Sequence, residues 1–165
     1  MRYPHYLNTS DSDIHVAFLT AIFTVLGSVI ILVLQRFAEQ IYFVPINNQK
    51  EVIQKVSIEL IKYAKYYANP EINSSGFVNE LRKRDIELAT DTVRELSASL
   101  IVSTNNINAY KFWYTLRLIK VSKKSDIDAA GKIMALSNSL FHSGKGVANS
   151  DLANKIRDLL CIPKS

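Results

Sequence analysis

Apolar residues follow two patterns along this chain, one continuous and one helical. The run from Ile14 to Leu34, IHVAFLTAIFTVLGSVIILVL, has twenty-one residues and no Asp, Glu, Lys or Arg. At about 1.5 Å per helical residue it reaches roughly the ~30 Å of a bilayer core. The leader before it, MRYPHYLNTSDSD, sets Arg2 against Asp11 and Asp13, and no small-x-small cleavage site follows before Gln35 and Arg36. The run therefore reads as an uncleaved transmembrane anchor rather than a signal peptide. FAEQIYFVP then carries the helix to the interface, where Phe37, Tyr42 and Phe43 suit headgroup depth and Pro45 ends the run as a hinge. The expected organisation is a leader over 1–13, a transmembrane helix over 14–36, a juxtamembrane hinge over 37–47 and a helical domain over 48–165.

Beyond Pro45 the apolar positions recur at three and four. Val52, Ile53, Val56, Leu60, Ile61, Ala64 and Tyr67 mark an amphipathic helix from about Asn48 to Ala68, stopped by Asn69-Pro70. Turn and cap residues fill 70–76, and Phe77, Leu81, Leu88, Leu96 and Leu100 predict the core stripe of a long helix ending near Ser103. A short aromatic helix is expected from Ala109 to Lys120. Ser125 and Asp128 have capping-box spacing for a helix to about Phe141, and the loop HSGKGVAN leads to a last helix, Asp151 to Leu160. No stretch alternates with period two over strand length, so the fold class is all-α, one N-terminal transmembrane helix plus a small helical domain.

Charge adds topology. The N-terminal flank of the anchor offers only Arg2, the C-terminal flank Arg36, Lys50 and Lys55, which places the domain in the cytoplasm and the N-terminus outside. From Gln35 to Ser165 the chain carries 19 basic and 13 acidic residues, a net charge of +6. That excess suits an anionic partner, and equally suits the insertion needs of a positive-inside protein. Cys161 is the one cysteine, which excludes an intrachain disulfide and a multi-thiolate zinc site; it reads as a small apolar residue. His5 and His15 lie at or beyond the membrane edge and His142 stands alone, so no metal site is expected. No Gly-x-Ser-x-Gly elbow or Cys/His arrangement is present, and no catalytic residue or cofactor is nominated.

Within the anchor, Thr20, Thr24 and Ser28, with Gly27 beside them, form a stripe of small and hydroxyl residues that suits helix association or a pore face. Back-bonding to the i−4 carbonyls is the alternative. Arg82, Lys83 and Arg84 spread over about 200° of helix surface, so only one of them, taken as Arg82, is a candidate for touching phosphate, the alternative being a solvated face balanced by Glu80, Asp85 and Glu87. Tyr110-Lys111-Phe112-Trp113-Tyr114, followed by Arg117 and Lys120, is sharper. On a continuous helix Trp113, Arg117 and Lys120 share a face, and an aromatic plate beside a guanidinium suits a purine and its phosphate. Core packing of the aromatics, or an amphipathic helix lying on the inner leaflet, are the alternatives. Ser137, Asn138 and Ser139 precede the glycine-flanked Lys145, a combination that fits a base edge and a phosphate-approaching loop, or ordinary helix-end chemistry. HSGKG lacks the distant Gly and following Ser or Thr of a Walker A motif. The candidate ligand-binding residues are thus Trp113, Arg117, Lys111, Lys145, Asn138 and Arg82.

The runs QRFAEQIYFVPINNQKEVIQKVSIELIKYAKYYANPE and ELSASLIVSTNNINAYKFWYTLRLIKVSKKSDIDAA, with the motif LSNSLF, resemble a pattern of bacterial proteins with one N-terminal membrane helix. The architecture is similar to that of the membrane effectors of type III CRISPR systems, Vibrio type. This resemblance implies a single-pass protein of the bacterial inner membrane in antiviral defence. It implies a homotetramer that binds cyclic tetra-adenylate, a cyclic oligoadenylate second messenger, and then forms a pore or disrupts the lipid bilayer. It implies no DNA partner and assigns no binding residue. A membrane-tethered protein-interaction module without nucleotide binding is the alternative.

Overall fold

The computed structural model describes residues 11–69, 80–140, 142 and 145–163. Arg2, His5, Phe77, Phe141 and Gly144 lie outside the described residues, as do the side chains of Leu81 and Arg82. The chain divides into two units, Met1–Ile41 and Tyr42–Ser165.

The first unit is built on α1, Asp11–Ala38. It belongs to the one helix among the described residues that is long and apolar enough to cross a membrane. Its apolar side chains are exposed all round, Phe18, Phe23, Ile31 and Leu34 among them. A helix apolar on every side suits lipid contact, and this one is consistent with membrane anchoring. Pro45 does not end the helical run as expected. The backbone continues through a π-helical turn, Glu39–Phe43, into α2, Val44–Lys62, with Pro45 in the first turn of α2. There its missing N–H falls at the junction with the π-helical turn, where the backbone bonding changes from i−5 to i−4.

The second unit is all-helical. After α2 the chain turns at Tyr63 into the short α3, Ala64–Ala68, so the expected single helix to Ala68 is broken one turn early. Then follow α4, Glu80–Asn105; α5, Tyr110–Thr115; α6, Lys123–Ser139; and α7, Gly146–Leu159. α4 packs on α2 and α6, α6 on α7, and α3 on α7. The main core holds Val56 and Leu60 of α2, Ile86, Ala89, Val93 and Leu100 of α4, Ala129, Ala130, Ile133 and Leu136 of α6, and Ala153 and Ile156 of α7. The stripe expected on α4 is rotated: Leu88 is exposed and Leu96 half-buried, while Ile86, Ala89 and Val93 face inward. Ile61 of α2 is exposed as well.

Small residues bring α4 and α6 close enough for hydroxyls to bridge them. Ser97 Oγ donates to the Ala130 carbonyl at 2.8 Å, and Ser137 Oγ to the Thr90 carbonyl at 3.0 Å. The cap of α6 is Ser122 rather than Ser125: its Oγ accepts the Ser125 N–H at 3.1 Å. The last helix starts at Gly146, so half of the expected HSGKGVAN loop is helical.

Ile133 is 1 % exposed at the centre of this core, whereas Ile127 of the same helix is 46 % exposed. Ile133→Ala is expected to destabilise the domain by about 2–4 kcal/mol, and Ile127→Ala by less than about 0.5 kcal/mol, in urea unfolding of the solubilised chain.

Candidate functional site

A buried polar cluster joins four elements of the helical domain. Asp126, in the first turn of α6, is fully buried, and its Oδ2 is approached by Gln49 of α2, Tyr110 of α5 and Thr104 of α4. The Tyr110 hydroxyl lies 2.6 Å from Oδ2 and 2.9 Å from the Val121 carbonyl, and it accepts the Gln49 amide at 2.7 Å. Asp126 Oδ1 has no hydrogen-bond partner. Burial pushes the Asp126 carboxyl above the usual carboxylate range, and the hydrogen bonds from Tyr110, Gln49 and Thr104 pull it back only in part. Burial, then the hydrogen bond to Asp126, pushes the Tyr110 phenol well above its ordinary value. Neither group touches a nucleophile or a metal-capable cluster among the described residues, and the arrangement acts as a polar clamp.

Over this clamp opens a groove of about 510 Å³. Gln49, Lys50, Ile53 and Gln54 of α2 form one wall, Ile119, Lys120 and Val121 the second, and Leu160 to Pro163 the third. Lys50 and Lys120 are exposed and Gln49 is buried, so cations and apolar side chains line one concavity. Ile119 and Lys120 also line a shallower depression with Tyr114, Thr115 and Arg117. Left-handed turns lie in the depression and in the groove: Arg117 has φ +59° and Cys161 +55°. After Arg117 the Leu118 N–H donates to the Trp113 carbonyl, and after Cys161 the Ile162 N–H donates to the Arg157 carbonyl. These bonds satisfy carbonyls left open at the helix ends.

The turn at Arg117 revises the sequence-based picture. α5 ends at Thr115, so Trp113, Arg117 and Lys120 do not share a helical face. Trp113 is half-buried against Tyr42, Phe43 and Phe112, with ring centroids 5.4, 6.2 and 5.0 Å away, and its indole N–H donates to the Asn108 carbonyl at 3.0 Å. Its ring is thus taken up in part by packing. Arg117 and Lys120 do come together, with Tyr114. Lys111 is exposed on α5 and Lys145 is exposed as the residue before α7. Asn138 is exposed on α6 and accepts from Arg94 at 3.4 Å. Its neighbours are structural: Ser137 ties α6 to α4, and Ser139 Oγ donates to buried Asn149 of α7 at 2.6 Å. The polar run in LSNSLF therefore fastens three helices. Cys161 is exposed in its turn.

In the anchor, Thr20, Thr24 and Ser28 each donate at 2.8 Å to the carbonyl four residues earlier. A Cβ built on Gly27 meets nothing within 4 Å. The hydroxyl protons are thus satisfied within one helix, while each oxygen can still accept from outside.

Because the Asp126 pKa is raised on folding, the folded state binds more protons than the unfolded one between the ordinary carboxylate range and the raised value. Stability from this group is therefore fully present below pH ~3.9 and declines as pH rises through the folded pKa. Against the non-titrating Asp126→Asn, the natural chain is expected to be relatively most stable at low pH and to lose ground toward neutrality, in urea melts across that range. A gain toward neutrality would mean that the donors favour the carboxylate outright. Tyr110→Phe, which leaves the Gln49 amide short of an acceptor, is expected to cost about 1–3 kcal/mol in the same assay.

No protein-family model matches this chain, and neither a curated protein nor a solved structure does.

Proposed function

We propose that this chain is a single-pass membrane effector of a bacterial inner membrane, with its helical domain in the cytoplasm as the sensor of a cyclic oligoadenylate, cyclic tetra-adenylate in the first place. The observation that carries the reading is the groove. Its apolar walls suit a base, Lys50 and Lys120 suit phosphate, and Ile119 and Lys120 continue it toward Arg117. One groove of about 510 Å³ matches a nucleotide or two rather than a ring of four. A cyclic tetramer on a symmetry axis would engage one groove from each of four copies, so a modest basic excess per chain suffices. The ligand acts as a signal and not as a substrate. It must bind one arrangement of the domains better than another, since equal affinity shifts nothing, and the difference passes to the anchors through α2.

A second reading, a tethered module that docks a protein, is favoured by Ile58 and Ile61, which are 61 % and 57 % exposed three residues apart on α2. Calorimetry separates the two. The full-length chain in lipid nanodiscs, titrated with cyclic tri-, tetra- and hexa-adenylate, is expected to bind the tetra form at one ligand per four chains. Arg117→Glu or Lys120→Glu is expected to weaken it by about tenfold to a hundredfold for each charge-assisted bond lost. No heat with any ring size would move the function to the docking module, and unchanged affinity in Arg117→Glu would remove Arg117 from the site.

Thr24→Leu with Ser28→Leu tests the anchor stripe. The expected outcome is loss of ligand-induced leakage from vesicles with ligand affinity within about threefold of the natural chain. Lost affinity would make the stripe structural.

A further inference from the structure

The segment from Lys111 to Leu118 contradicts what a water-facing surface should be. Phe112 is 56 % exposed, Tyr114 45 %, Leu116 52 % and Leu118 41 %, and Lys111, Thr115 and Arg117 are exposed between them. α5 is too short to hide a face, and the left-handed turn at Arg117 sends the chain straight back. Both ends are nevertheless fixed: Tyr110 and Ile119 are buried with Ile46 and Ile107 in a small second core, and Trp113 packs against that core. The result is a protruding, rigidly based tip that carries bulky apolar residues and two cations. Exposed apolar clusters of this kind mark surfaces that meet something other than water.

Lipid is the occupant that the neighbouring contacts favour. Trp113 holds the tip against Tyr42 and Phe43, which are themselves exposed. Tyr42 follows Ala38, the last residue of α1, by four positions, at most about 6 Å of helical rise. The 28 residues of α1 extend about 42 Å, the thickness of a bilayer with its headgroups. The covalent chain therefore keeps Tyr42 and Phe43 within about 8 Å of the headgroups, and Trp113 packs on their rings. Aromatic rings are enriched at the headgroup level, and Lys and Arg near it are drawn to anionic lipid.

We propose that residues 111–118 are a membrane-docking tip, in which Phe112, Leu116 and Leu118 enter the lipid interface and Lys111 meets anionic headgroups. The docked tip gives the domain a second attachment to the bilayer, independent of the anchor, and fixes how the domain is presented to it. The proposal rests on the membrane span and not on nucleotide binding.

Cys161 is the only cysteine, so Cys161→Ser provides a background for single labels. Leu116→Cys at the tip and Lys155→Cys on exposed α7 each receive an NBD fluorophore. The full-length chain is then placed in nanodiscs of phosphatidylcholine and phosphatidylglycerol. The label at 116 is expected to be quenched by nitroxide lipids and to resist aqueous iodide at least about threefold better than the label at 155. Lys111→Glu is expected to weaken the lipid quenching in these discs. Iodide quenching at 116 equal to that at 155 would overturn the proposal. So would a label shielded from both iodide and lipid, which would assign the tip to a second copy of the chain. Failure of the chain to enter nanodiscs would remove the span and the tip together, whereas entry with an iodide-accessible tip removes the tip alone.

Discussion

Asp126 sits in the first turn of α6 with no access to water, and a carboxyl in that position is tolerated only where donors converge on it. Here they come from the start of α2, the end of α4 and the start of α5, so satisfying one side chain fixes the mutual placement of four elements. Such clusters contribute more to the choice of one arrangement than to net stability, because the desolvation of the polar groups offsets much of what their bonds return. The groove and the apolar tip both depend on this placement. Gln49 is at once the floor of the groove and a donor to the clamp, and Tyr110 is at once the base of the tip and a donor to the clamp.

Left-handed turns at helix ends do the complementary work. A non-glycine residue at positive φ is disfavoured, and among the described residues it occurs three times, at Ala109, which precedes α5, and at Arg117 and Cys161, where α5 and α7 stop. The turn at Arg117 returns the chain to Ile119 and Val121, which are buried, and so builds one wall of the groove. The turn at Cys161 brings Ile162 and Pro163 round to form the facing wall. Without these reversals α5 and α7 would run on and the concavity between them and α2 would not close.

The helices and the all-α class were legible because periodicity at three and four depends on local geometry alone. The long apolar helix was legible as a candidate span because twenty-one residues without Asp, Glu, Lys or Arg reach across a bilayer core. The polar clamp left a trace that a search for catalytic or phosphate motifs passes over. Gln49 stands in register with Ile46, Ile53, Val56 and Leu60, and Asp126 in register with Ala129, Ala130 and Ile133. A polar residue on a core stripe marks a buried network more often than a surface lapse. The shared face of Trp113 and Arg117 failed for a different reason: a positive φ at an arginine has no signature in composition. The groove was illegible because its walls come from three separated segments, and the serines of LSNSLF because hydroxyls that bridge helices look the same in sequence as hydroxyls that read a ligand.

Lipid at the tip and a ligand in the groove would act on the same stretch of chain, since Phe112 to Leu118 leads directly into Ile119, Lys120 and Val121. Coupling between two such sites is reciprocal: if bound lipid favours one setting of this segment, a ligand that prefers the other must overcome that preference, and does so only by the difference in its affinity for the two. The rigid base at Tyr110 and Ile119 matters here, because a floppy connection would dissipate the difference instead of transmitting it. Trp113 is placed to receive it, packed on Tyr42 and Phe43 where the helical domain begins. A signal from either proposed site would thus have a short physical route to the start of the helical domain, through one indole and two rings.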